Sequence, residues 1–353
     1  MTNPFKYGSI VEGDYFTDRV EEVAYIKQFV ESSNHLIIIS PRRYGKASMT
    51  LKAVKATGRP YIMLNLQGVT SVNDLSAKLL REMYKIHPME RLRQFLIRFR
   101  IVPTLTTNPI TGAIDIEFDA KANPEVMLED VMGLIESSSN EGARTIVILD
   151  EFQEIREIGD HLDKKLRTIM QMQQRVNYIL LGSQESMMEE IFEQKKSPFY
   201  HFGQLMRLKK IPHEDFERYL YDRLPYKREE ERRQLARAIL EYTGCHPYYT
   251  QQLASQLWQQ AMLDEEVKDP MTTAIEQIAE SHSMDYERLW MNFNRTDRWI
   301  LSRLAKGQTV NSTEYRPSTI YSALRKLQRM GYIVREEGYA IEDPYFKEWI
   351  ARS

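Results

Sequence analysis

The stretch SPRRYGKASM, residues 40–49, decides how this chain is read. It nearly matches G-x-x-x-x-G-K-[ST], a loop whose backbone N–H groups cradle phosphates. Ser40 stands where the pattern has its first glycine, and Ala47 where it has a hydroxyl residue. HLIIIS (35–40) leads in as an apolar strand, and KASMTLKAVKAT continues with helical spacing. A loop between a strand and a helix aims backbone N–H groups, and the favourable end of the helix dipole, at an anion. Gly45 allows close backbone approach, and Lys46 supplies a point charge for the β- and γ-phosphates. Arg42 and Arg43 add local positive charge. The same letters also occur in a basic turn that merely caps a helix, so the loop alone leaves both readings open.

Outward from the loop, short apolar runs alternate with helical stretches. PYIMLNLQ (60–67), TIVILDE (145–151), NYILLGS (177–183) and LMRLKKI (205–211) are strand candidates. Continuous β-branched and leucine runs suit strands buried on both faces by helices. That pattern predicts an α/β fold with a doubly wound parallel sheet. Residues 86–120 interrupt it with RLRQFLIRFRIVPTL, a TTNPITG turn and AIDIEF, read as a helix end and a hairpin insertion. The basic segment 91–100 reads as a solvated face. From about residue 212 the strands give way to helices, including REEERRQLARAILEYTG and YYTQQLASQLWQQAML, and VKDPMTT (267–273) reads as a linker. The expected division is a core over 1–211, a helical lid over 212–284 and a further domain over 285–353.

TIVILDEFQEI ends an apolar strand in two carboxylates, Asp150 and Glu151. An aspartate there can hold magnesium, and the next glutamate can polarise an attacking water. An acidic strand end facing solvent is the plainer alternative. In LLGSQES, Ser183 and Gln184 are placed to sense a γ-phosphate, or are simple turn residues.

Composition sets the bounds. The 353 residues are 42% hydrophobic and 28% charged, with a formal net charge of −2. That describes an ordinary globular chain with no global attraction to nucleic acid or acidic lipid. Cys245 is the single cysteine, which excludes an intrachain disulfide framework and fits a reducing compartment. No apolar run approaches the ~20 residues of a membrane span. The start, MTNPFKYGSI, has no apolar signal-peptide core. The chain reads as cytoplasmic, without a membrane partner.

With these residues in hand, the chain resembles the archaeal-type P-loop ATPase family, among the signal-transducing ATPases related to the AAA class. FKYGSIVEGDYFTDRVEEV, SPRRYGKAS, ILDEF, GSQESMM, SPFYHFG and TGCHPYYTQQLA follow in that family's order along nearly the full length. The resemblance implies ATP or ADP with magnesium as cofactors. It implies a nucleotide set of Phe16, Arg19, Pro41, Arg42, Arg43, Tyr44, Gly45, Lys46, Ala47 and Ser48. It also puts the sensor strand between the loop strand and the acidic strand. His246 and Pro247 would start a lid helix near the phosphates, although by itself His246 reads as an ordinary helix-start residue. Glu151, Lys46 and Ser183 would carry catalysis, and Asp150 the metal.

Two departures from the family pattern bear on turnover. The residue after the lysine normally gives its hydroxyl to magnesium, and the Ala47 methyl cannot. Ser48 is rotated about 100° further around the helix and is expected to face the α-phosphate. Relatives often carry Gly-Arg where this chain has Gly203 and Gln204, so an arginine finger for a neighbouring subunit is missing. A finger is worth about 10³–10⁵ in rate. Nucleotide binding is expected, and hydrolysis is expected to be slow.

The C-terminal piece resembles a winged helix-turn-helix. TDRWILSRLAKG reads as its first helix with Thr296 as N-cap. PSTIYSALRKLQRMG reads as the recognition helix, opened by Pro317 and closed by Gly331, with Ile320, Leu324 and Leu327 on its apolar face. Ser318, Thr319, Tyr321, Ser322, Arg325 and Lys326 are the candidate DNA contacts. Residues 286–330 hold nine Lys or Arg against three Asp or Glu, enough to follow a phosphate backbone. In the family such a domain also packs on the core or on a partner protein. Two functions therefore stand: a nucleotide-dependent switch, or a DNA-binding or scaffolding module with a structural nucleotide. Self-assembly stays open.

Overall fold

Four consecutive apolar residues make β1 (Leu36–Ile39), and all four are buried. The computed structural model describes residues 2–32, 34–87, 94, 96–97, 99–107, 114–119, 121–140, 142–263, 268–310, 315–335 and 338–352. Its main sheet has five parallel strands in the order β2-β5-β6-β1-β7. The others are β2 (Tyr61–Asn65), β5 (Thr145–Asp150), β6 (Val176–Gly182) and β7 (Gln204–Arg207). All seven residues of β6 are buried, as its position between β1 and β5 requires. The expected place of the sensor strand is therefore met. Gly182 lies against the helix Glu185–Phe192: a Cβ there would meet the Met188 side chain, which would have to shift.

The insertion contains an antiparallel hairpin of β3 (Thr104–Thr107) and β4 (Ile114–Glu117). Its turn, and half of the basic segment 91–100, lie outside the described residues.

The chain divides into two compact units that cut across its linear order. One holds Val20–Ser40 and Met49–Leu208, with the main sheet and a core that includes Ile37, Ile62, Val147, Phe152, Leu180 and Phe199. Helices Val72–Ile86 and Pro124–Ser138 belong to it, N-capped by Ser71 and Asn123. The other holds Met1–Arg19, Pro41–Ser48 and Lys209–Ser353. Its hydrophobic cluster, among the described residues, runs from Phe5 through Phe216, Leu253 and Ile300 to Leu327 and Phe346. It is built from helices His213–Arg223, Glu229–Thr243, Pro247–Met262, Pro270–Ser281, Ser283–Asn292, Arg295–Ala305, Pro317–Arg329 and Pro344–Arg352. A small antiparallel hairpin pairs β8 (Ile333–Arg335) with β9 (Tyr339–Ile341).

Two local expectations are corrected. The Arg295–Ala305 helix is capped by Asn294, not Thr296: the Asn294 side chain accepts from the Asp297 N–H, and Asp297 reciprocates toward the Asn294 N–H. This capping box satisfies two backbone donors at once, which a cap at Thr296 could not. VKDPMTT is not a linker throughout, because Asp269 caps a helix that begins at Pro270.

Candidate functional site

The loop after β1 takes its shape from two residues in the left-handed region, Arg43 at φ 63° and Gly45 at φ 85°. A Cβ at Gly45 would meet nothing within 4 Å, so glycine is favoured there by backbone conformation rather than by space. Lys46 opens the following helix, Lys46–Lys55, yet is only 6% exposed. Its ammonium folds back to 3.4 Å from the Pro41 carbonyl. The Lys46 side chain thus lies back against the loop that it closes. Arg42 is exposed and Ala47 half-buried. The Ser48 hydroxyl accepts from the Val11 N–H at 2.9 Å, tying the N-terminal segment to the start of the helix.

That segment is fixed at both ends. The Tyr219 hydroxyl lies 3.4 Å from the Pro4 carbonyl and 3.3 Å from the Tyr15 carbonyl, and accepts from the Gln251 amide at 3.1 Å. Phe16 follows, half-buried. Arg19 is buried, with φ 66°, and its guanidinium approaches the Tyr44 carbonyl at 3.5 Å.

His246 is the N-cap of Pro247–Met262, its Nδ1 accepting from the Tyr248 N–H at 3.2 Å. Its ring is also met edge-on by loop residue Tyr44, with centroids 4.9 Å apart. Arg43 lies over the Tyr248 ring at 4.3 Å. On its other side His246 Nε2 is 3.7 Å from Glu342. Burial pushes the His246 imidazole below its ordinary pKa, partly offset by Glu342. His246 is thus a helix cap and a contact of the loop together.

At the carboxyl ends of β5 and β6 the acidic pair meets Ser183. Asp150 accepts the Glu151 N–H through Oδ1 at 2.9 Å. Glu151 is left-handed, at φ 53°, and caps a short 3₁₀ turn, Phe152–Glu154. Ser183 is buried and donates to Glu151 Oε2 at 2.5 Å. Gln153, fully buried, donates its amide N–H to the same oxygen. Nothing local singles out Gln153, which lies between Phe152 and the charged Glu154 in the turn.

No family model matches the chain, and no curated protein matches it in sequence. Solved structures do match in fold. A Walker-type ATPase of Pyrococcus abyssi is similar over 96% of each chain, with a TM-score of 0.66 and 19% identity. The ORC2 protein of Aeropyrum pernix, solved in ADPNP–ADP complexes, gives a TM-score of 0.56 at 14% identity over 99% of this chain and 98% of its own. The Cdc6p structure from Pyrobaculum aerophilum gives 0.51 at 8% identity, over 98% and 95%. This chain has the fold of the archaeal P-loop ATPases of AAA type.

Within that ATPase fold, Gln204 is exposed at the start of the edge strand β7. Gln184 caps no helix N–H with its side chain. Among the described residues no group of three or more His, Cys, Asp or Glu is arranged to hold a metal. Nor is any helix among them long and apolar enough to cross a membrane. On Pro317–Arg329, Ile320, Leu324 and Leu327 are buried, while Ser318, Thr319, Tyr321, Ser322 and Arg325 are exposed together. Lys326 departs from that exposed set. Its ammonium donates to the buried Asp297 at 2.6 Å, because an isolated carboxylate in the core would otherwise be uncompensated.

Proposed function

We propose that this protein binds ATP or ADP on the loop 40–48 and acts as a nucleotide-dependent switch with slow hydrolysis. The observation that carries the reading is the buried Lys46 held beneath a loop with positive φ at Arg43 and Gly45. Phe16 and Arg19 are assigned to the adenine side. His246 and Pro247 sit at the head of the lid helix, with the Tyr44–His246 contact supporting a link between loop and lid.

Magnesium, when bound, would neutralise phosphate charge. The residues suit it in part. Asp150 offers a carboxylate at a strand end, whereas Ala47 offers only a methyl group where a direct hydroxyl ligand is usual. Because magnesium keeps several waters, a water can fill that position, and weakened rather than abolished metal binding follows. Glu151 is the group assigned to polarise the attacking water, and Ser183 the group assigned to report the γ-phosphate. The Ser183 hydroxyl has one proton, and it is now given to Glu151. Turning it to a phosphate would release that contact, which supports a coupling between nucleotide state and the acidic strand end.

The order helix, helix, hairpin over 295–341 supports a winged-helix reading of the last domain, with a helical lid before it. The exposed face of Pro317–Arg329 favours a second reading, a DNA-binding or scaffolding module whose nucleotide is structural. Protein heated with and without ATP and magnesium, together with its nucleotide content and a single-turnover assay, separates the two. Turnover that follows magnesium supports the switch. A tightly held nucleotide that never turns over supports the module. No nucleotide-dependent shift in melting removes both.

A further inference from the structure

Gln153 is the second residue after Glu151, in the turn Phe152–Glu154. The turn is anchored by Phe152, which packs against Phe192 and Phe199 with ring centroids 5.6 and 5.2 Å away. Anchoring drives Gln153 inward, where it is 0% exposed. Its Nε2 donates to Glu151 Oε2, and its own Oε1 is buried without a hydrogen-bond partner. Leaving a buried acceptor unpaired opposes folding. Rotating the amide would not help, since it would set oxygen against the carboxylate oxygen. The amide is therefore oriented by Glu151, and the fold tolerates an orphaned oxygen to keep that contact.

We propose that Gln153 is a positioning residue for Glu151, its buried amide fixing Oε2 so that Oε1 is the oxygen presented to water. This rests on the hydrolytic reading of Glu151 given above. Among the described residues no hydrogen bond is made to Oε1, whereas Oε2 takes two. The two donors are not equivalent. The single Ser183 proton can leave for a phosphate oxygen, but the Gln153 amide is enclosed and, among the described residues, donates to no other acceptor. Gln153 is then what holds the carboxylate in place at the moment Ser183 turns away. A carboxylate that swings between rotamers loses the alignment on which general-base action depends.

The test is a double-substitution cycle read by single-turnover hydrolysis and by equilibrium ATP affinity. Gln153→Met keeps the volume and removes the donor, while Gln153→Asn keeps an amide that is too short to reach. Each is expected to lower kcat at least tenfold and leave the ATP dissociation constant within about twofold, as loss of an interaction with the reacting machinery requires. Unchanged affinity also reports that the variant is folded. In a Glu151→Gln background the same changes should have no further effect, because they act through the carboxylate. A kcat for Gln153→Met and Gln153→Asn equal to the parent's overturns the proposal while leaving the hydrolytic reading intact. An equal loss in the Glu151→Gln background overturns it too. A parent that does not hydrolyse ATP removes the hydrolytic reading itself, and this proposal with it.

Discussion

The Lys326 ammonium lies 2.6 Å from an Asp297 carboxylate that is wholly buried. Asp297 also belongs to the capping box of Arg295–Ala305, so one side chain ties two helices and a helix start together. Removing the cation leaves that charge buried with no counter-ion. Lys326→Met is expected to lower unfolding free energy by about 2 kcal/mol, within the range for a lost hydrogen bond to a buried charged group. Chemical denaturation checks it, with Arg325→Ala as a neighbour that should change stability by no more than about 0.5 kcal/mol.

DNA binding is then tested cleanly only through the exposed face. Arg325→Ala should weaken binding to a duplex at low salt and shallow the dependence of affinity on salt by about one phosphate contact. Fluorescence anisotropy across a salt series reads both. If the parent protein has no affinity for DNA at low salt, the face contacts protein instead.

Lys46→Ala removes the charge held under the loop. ATP affinity should drop at least tenfold, or about 1.4 kcal/mol. Equal affinities by calorimetry would mean that the loop is only a turn.

Ala47→Thr supplies the missing hydroxyl. Magnesium-dependent hydrolysis should rise modestly, and the gain should vanish when Glu151→Gln is added. Affinity should change less than rate, because Lys46 and the loop amides already hold the phosphates. A rate no higher than the parent's at saturating ATP and magnesium places the slow step in assembly or in the arginine absent at position 204.

His35 makes stability depend on pH. Burial, with the nearby Arg167 cation, lowers its pKa from 6.5 to about 4. The ring stacks on Phe202 at 4.5 Å and its Nδ1 accepts the Tyr178 N–H, both of which suit the neutral form. The unfolded chain binds this proton below about pH 6.5 and the folded one only near 4. Its contribution is therefore complete above 6.5 and is lost progressively as pH falls to about 4. Denaturation curves across that window should show the slope, and His35→Gln should flatten it.

What was legible in the sequence is what depends on local pattern. LIII and VNYILLG announce strands buried on both faces, and Gly45-Lys46 announces a loop, because burial and positive φ restrict which residues are allowed. The Pro317–Arg329 helix was legible for the same reason, from Pro317 and the Ile320, Leu324, Leu327 face. What was not legible depends on partners distant along the chain. Lys326 looks like any surface cation until Asp297 is seen beneath it. Gln153 looks like a turn residue until its amide is seen on Glu151. Asn294 outcompetes Thr296 as a cap only through a reciprocal bond that one-residue propensities do not weigh.

The loop contacts described above also set a schedule for synthesis. Tyr44 and Arg43 emerge from the ribosome early, but the side chains they pack on, His246 and Tyr248, follow some two hundred residues later. At about 5–20 residues per second that interval is roughly 10–40 s. Glu342, against His246, comes later still. A nascent chain therefore carries its Gly45-Lys46 loop with the Val11 and Arg19 contacts available, but without the His246 and Tyr248 contacts, until the Pro247–Met262 helix has been made.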